Sequence, residues 1–98
     1  MGEKFEQEKY YEQKIQDIYK NYMESHKEGY MIDFKLVRYM KDKLQTLAIE
    51  ARYYKHIYGL FLIQSHIYEW EKIEVKLYHN LESEIYKLEH TNNSNKNI

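Results

Sequence analysis

An all-α fold is what this sequence predicts, and three observations carry the prediction. The 98 residues contain no proline and only three glycines, too few breakers for the many turns of a sheet protein. Apolar side chains recur three and four residues apart over most of the length. Hydrophobic residues make up 43% and charged residues 32%, a balance that suits a folded domain rather than a disordered or membrane-embedded chain. At this length a single helical domain over 1–90 is expected, followed by a disordered polar tail at 91–98 with nothing to bury.

The first helix is expected over about 3–26. Phe5, Tyr11, Ile15, Ile18 and Tyr22 share one side, widened by Tyr19 and Met23. Glu3, Glu6, Glu8 and Glu12 crowd its early turns, where the helix dipole favours carboxylates. Gly29 suits the left-handed position after a helix end, and Asp33 suits the N-cap of the next helix. So short a connection makes the second helix an antiparallel neighbour of the first.

From residue 33 onward the pattern is strongly helical but changes face. Met40, Leu44, Leu47, Ala51, Tyr54, Tyr58 and Leu62 define one stripe. Leu60, Ile63, Ile67, Trp70, Leu77, Leu81, Ile85 and Leu88 define a second, about 140° away on an unbroken helix. The stripes overlap at Ile57–Ile63, an apolar run interrupted by Gly59 alone. Two architectures account for this. In the favoured one, a helical hairpin (about 3–26 and 33–58) has its second helix continuing or kinking at Gly59 into 60–89. The second halves then pair between two chains, coiled-coil fashion, in a dimeric helical bundle, with glycine permitting close crossing. The alternative is a monomeric three-helix bundle in which Gly59 ends the second helix. A further weak point lies at His79–Ser83, where Asn80 could end a helix and Ser83 begin another.

Formal net charge is −1, so no overall field steers the chain toward nucleic acid or anionic lipid. By segment, 1–30 holds five lysines against seven acidic residues, 31–58 six basic against three acidic, and 59–90 three lysines against six glutamates. A basic middle flanked by acidic ends favours mutual packing of helices or subunits. The absence of cysteine removes disulfides, thiolate chemistry and cysteine-based zinc sites, and fits a cytoplasmic address. Residues 1–25 show no apolar signal-peptide region, and the Ile57–Ile63 run falls far short of the roughly 20 apolar residues of a membrane span.

Chemistry-bearing constellations are sparse. His66 with Glu69 and His79 with Glu82 reverse the Glu-x-x-His spacing of helical metal sites, so no metal or cofactor is expected. No glycine-rich loop or serine elbow suggests phosphate binding or nucleophilic catalysis, and an enzyme is not expected. A basic, aromatic-flanked segment at 35–56, with Arg38, Lys41, Arg52, Lys55 and His56, could contact an anion or nucleic acid. Twelve tyrosines against three phenylalanines suit half-buried seams and interfaces. Ile57, Tyr58, Leu60, Phe61, Leu62, Ile63, Ile67 and Trp70 form the expected protein interface.

The function expected from sequence is therefore a small non-enzymatic interaction module. It would bind and modulate another macromolecule, in the manner of an accessory, inhibitor or immunity-type protein of a phage or mobile element. Its expected partners are a second copy of itself, in a homodimer, and an unidentified protein. The alternative is a nucleic-acid-binding regulator using 35–56, and the third reading is a small helical enzyme.

Overall fold

The computed structural model describes residues 2–26 and 32–96, without the side chains of 91–96. Three helices follow one another: α1 (Gly2–Ser25), α2 (Phe34–Tyr53) and α3 (Ile57–Lys96), with no strand among the described residues. The predicted Gly29 turn lies outside the described residues.

Helix α1 is amphipathic by spacing: Tyr11, Ile15 and Tyr22 are buried one or two turns apart, while Phe5 at the N-terminal end is exposed. Its last carbonyls find side-chain donors. Ser25 Oγ donates to the Asn21 carbonyl at 3.0 Å, and the His26 ring donates from Nδ1 to the Tyr22 carbonyl at 2.9 Å. Helix α2 starts at Asp33, as its sequence predicts. The extended Asp33 backbone (φ −130°, ψ 179°) leaves the carboxylate free to accept the Leu36 N–H at 2.9 Å. Seven residues of α2 are buried, from Leu36 to Ala51, and make it the centre of the bundle.

The largest departure from the sequence reading is where α2 stops. The chain neither runs unbroken from 34 to 89 nor kinks at Gly59; it turns at Tyr54–His56, just ahead of that glycine. Lys55 takes the left-handed conformation, at φ 59°. Its N–H donates to the Arg52 carbonyl at 3.1 Å, and the His56 N–H donates to the Ala51 carbonyl at 2.8 Å. These two bonds make a Schellman cap, built on lysine where glycine is the usual choice. The apparent 140° jump in phase is thus the signature of a turn, which restarts the helical register.

Gly59 instead lies in the first turn of α3, where a Cβ would overlap the ring of Tyr11. Glycine is needed here for close approach between helices, and its freedom to adopt a turn conformation is unused. No break occurs at Asn80 or Ser83, and the α3 backbone continues through Lys96, into the stretch read from sequence as a tail.

α3 folds back antiparallel to α2. The Phe34 and Tyr78 rings lie 4.8 Å apart, and Lys41 Nζ reaches Glu74 Oε1 at 3.4 Å. α1 runs parallel to α3, with Gln7 at Tyr58 and Glu12 Oε2 3.9 Å from His66 Nε2. One core cluster joins Tyr11, Ile15, Leu44, Leu47, Ala48, Ala51, Ile63 and Ile67 near the turn; a second joins Tyr22, Leu36 and Met40. Trp70 and Ile18 pack against both. The helices differ greatly in length, 24, 20 and 40 residues, so the molecule is a rod of 70 × 28 × 20 Å. Its radius of gyration is 19.1 Å, against about 13 Å for a compact chain of this size.

Two substitutions test this account of the turn. Gly59→Ala should destabilise by about 1–3 kcal/mol through overpacking, because Tyr11 is fully buried and has no room to move. That reverses the gain of roughly 1 kcal/mol that alanine normally brings to a helix interior. Lys55→Gly should stabilise by up to about 1 kcal/mol, since glycine takes the left-handed position without steric cost. Urea midpoints at constant m-value report both; a stabilising Gly59→Ala would contradict the packing described.

Candidate protein-binding surface at the α2–α3 turn

The turn brings polar and apolar groups to one end of the rod, and α1 organises them. The first N–H groups of α3 lack partners within their own helix. The Gln7 side-chain carbonyl accepts from the N–H of Tyr58 at 3.0 Å and of Gly59 at 3.2 Å. One turn further along α1, Tyr11 is fully buried, and its hydroxyl shares a 2.7 Å hydrogen bond with His56 Nδ1. The His56 ring also stacks on Tyr54, centroids 5.6 Å apart and 22° from parallel. The start of α3 is therefore capped and oriented by another helix, which ties the turn to the core.

Burial pushes the Tyr11 phenol up to about 12, and the carboxylate of Glu50 adds to the effect, followed by Tyr10 and Tyr54. Glu50 Oε2 is itself buried without a hydrogen-bond partner, so a second negative charge close to it is disfavoured. Around this core lies a pocket of about 520 Å³, with Glu3, Glu6, Tyr10, Tyr54, Lys55 and Tyr58 among its lining. Two carboxylates and four tyrosine rings against one lysine make that lining suited to a cationic side chain.

From Ile57 in the pocket lining outward, the turn presents large apolar side chains to water. Ile49 and Tyr53, one turn apart on α2, are 65% and 79% exposed; Ile57 and Phe61, one turn apart on α3, are 69% and 77% exposed. Beside them runs a groove of about 390 Å³ lined by Ile49, Arg52, Gln64 and Glu71. Monomeric proteins seldom show such clusters without a use for them.

The interface residues expected from sequence divide into two sets. Ile57, Tyr58 and Phe61 stand at the surface. Ile63 and Ile67 are buried, and Leu60, Leu62 and Trp70 pack against the same core, where α1 and α2 cover them. The first half of the second stripe, from Leu60 to Trp70, faces the chain's own first two helices, whereas Leu81, Ile85 and Leu88 are exposed. Ile49 and Tyr53 were missed, because they lie off the α2 stripe; their isolation on its polar side is the signal that could have found them.

The expected basic group is not gathered into one surface. Lys41 is engaged by Glu74, His56 by Tyr11, and Arg52 lines a groove with Glu71. Arg38 lies toward the far end of α2 beside Phe34 and Asp42, while Lys55 occupies the turn itself. His66 approaches Glu12 at 3.9 Å and His79 approaches Glu82 at 3.9 Å. Among the described residues no three His, Asp or Glu side chains converge as metal ligands, and no helix is long and apolar enough to cross a membrane. Comparisons with protein-family models, characterised proteins and solved structures find nothing that this chain matches.

Tyr11 should be visible in an alkaline titration. Its ionisation is favoured in the unfolded chain near pH 10 and in the folded chain near 12, so stability is constant with respect to this group below pH 10. Stability is then lost as pH rises from about 10 to 12. Absorbance at 295 nm should show a late tyrosine step in the same window as unfolding. Tyr11→Phe should shrink it; an unchanged titration would contradict the burial of Tyr11.

Proposed function

We propose that this chain is a non-enzymatic helical module that binds another protein through the apolar surface at the α2–α3 turn. The observation that carries the reading is the grouping of Ile49, Tyr53, Ile57 and Phe61, each about two-thirds exposed or more, at one end of a rod whose core is already filled. Aromatic and large aliphatic side chains at the centre of an interface contribute most of its binding energy. A rigid platform helps, because little order has to be created on binding. The Gln7 cap and the Tyr11–His56 bond supply that rigidity.

The partner best suited to this surface offers an apolar patch and a basic side chain for the pocket beside Glu3 and Glu6. Such an activity fits an accessory or inhibitor protein, which acts by occupying a surface. The reading has no catalytic part, because the histidine nearest the turn is already engaged: His56 Nδ1 is held by the phenol of the buried Tyr11. The nucleic-acid alternative has less support, since Lys41 and Arg52 sit beside the acidic face of α3 and the five basic residues form no continuous strip.

A photo-reactive amino acid placed at Phe61 tests the proposal in extracts of the source cell. It should crosslink a discrete protein that the same probe at Gln16, an exposed position on α1, does not capture. Ile57→Ser or Tyr53→Ser should reduce the yield about tenfold or more without changing the helical circular dichroism, because both side chains are exposed. Equal capture from both sites, or capture insensitive to these substitutions, would count against the surface. Salt-sensitive retardation of random DNA at low ionic strength would favour the nucleic-acid reading instead.

A further inference from the structure

We propose that Lys55 is the residue by which the turn surface selects its partner, and that the partner protein meets it with a carboxylate. The inference rests on the protein-binding reading above and names the partner's chemistry.

Among the described residues Lys55 alone, glycines aside, has a left-handed backbone, at φ 59°. A Cβ is crowded in that conformation, and glycine would close the same Schellman cap without the strain. No contact within the chain compensates it. Lys55 is exposed, and among the described residues its ammonium has neither an ion-pair nor a hydrogen-bond partner. A side chain kept where the fold would do better without it points to a use outside the fold.

Its neighbours say what that use is. Tyr53 and Ile57, two residues to either side, are 79% and 69% exposed and belong to the apolar surface; Ile57 and Lys55 line the same pocket. A partner that covers this surface takes the Lys55 ammonium out of water. An ammonium desolvated without a counter-charge is strongly disfavoured. The chain itself does not provide one: Glu3 and Glu6, the carboxylates in the same pocket, stand on α1 outside ion-pair distance of Lys55 and are matched to the partner's base. The counter-charge has to come from the partner. Among unmodified side chains a carboxylate of Asp or Glu is the group that pairs with an ammonium by a charged hydrogen bond.

The pair then sets specificity. A protein with the same apolar patch but no acid opposite Lys55 leaves the ammonium buried and alone, and a base in that place adds repulsion. The matching surface is an apolar patch with a base and an acid beside it. Glycine at position 55 would improve the fold and blunt the recognition.

The photo-reactive probe at Phe61, used in extracts of the source cell, reads this separately from folding. Lys55→Gln removes the charge but keeps a side chain on the left-handed backbone; it should lower the crosslinking yield at least about tenfold. Lys55→Gly should lower it as much while raising the urea midpoint, so the loss cannot come from unfolding. Lys55→Arg should keep most of the yield. Sequencing the crosslinked peptide then locates the partner segment facing the turn. Lys55→Glu should abolish capture, and changing one Asp or Glu of that segment to Lys should restore it. Undiminished capture by Lys55→Gln or Lys55→Gly overturns the proposal, as does a segment in which no such reversal rescues Lys55→Glu. If Ile57→Ser still abolishes capture in those cases, the protein-binding surface stands and this inference alone fails. A probe that captures no discrete protein removes both.

Discussion

The fold depends on one contact above the others, the Tyr11 ring laid across Gly59. It brings α1 against the start of α3 at a distance that no side chain at residue 59 would permit. The same tyrosine then reaches His56 through its hydroxyl, and Gln7, one turn earlier, caps the backbone of Tyr58 and Gly59. Apolar contact, a side-chain hydrogen bond and a helix cap thus converge on six consecutive residues, 54–59. The two polar contacts give partners to the Tyr11 hydroxyl and to the first N–H groups of α3, which lack them within their own helices. The position of α3 is set at its first turn, and the antiparallel packing on α2 follows from that direction.

This arrangement concentrates order at one end of the rod. Near the turn three helices share a filled core, and nearly every polar group in it has a partner. Toward the other end α1 and α2 stop, and α3 continues with its apolar stripe still in phase. Helix lengths this unequal leave apolar surface that intramolecular packing cannot cover. The exposed residues consequently fall into two groups, one at the turn on a rigid base and one along the overhang. The first suits recognition of a different protein, because its shape is preset.

The basic segment illustrates how local electrostatics are absorbed by packing. Arg38, Lys41, Arg52, Lys55 and His56 look like one patch in the linear chain, yet they spread around and beyond α2. The acidic α3 lies antiparallel beside it, and Lys41 pairs with Glu74. Alternating charge along the chain is what side-by-side packing of successive helices calls for. The segment's charge is better accounted for by its neighbouring helix than by an external anion.

Much was legible in the residues themselves. The lack of proline, the 3/4 spacing and the Asp33 cap determined an all-helical chain, the position of α1, the start of α2 and the apolar face of each. A change of face near residue 58 was legible too, since periodicity is a local property. Its cause was not. Gly59 was the obvious turn residue, and the turn formed on Lys55 because a Schellman cap tolerates a left-handed lysine when its carbonyl partners are in place. Only the tertiary structure decided that the glycine was needed against Tyr11, a residue 48 positions away. Likewise the apolar run at 57–63 announced burial without saying against what. Three-dimensional packing divided it into Ile63 inside and Ile57 and Phe61 outside, because which side of a helix is covered depends on where the other helices lie.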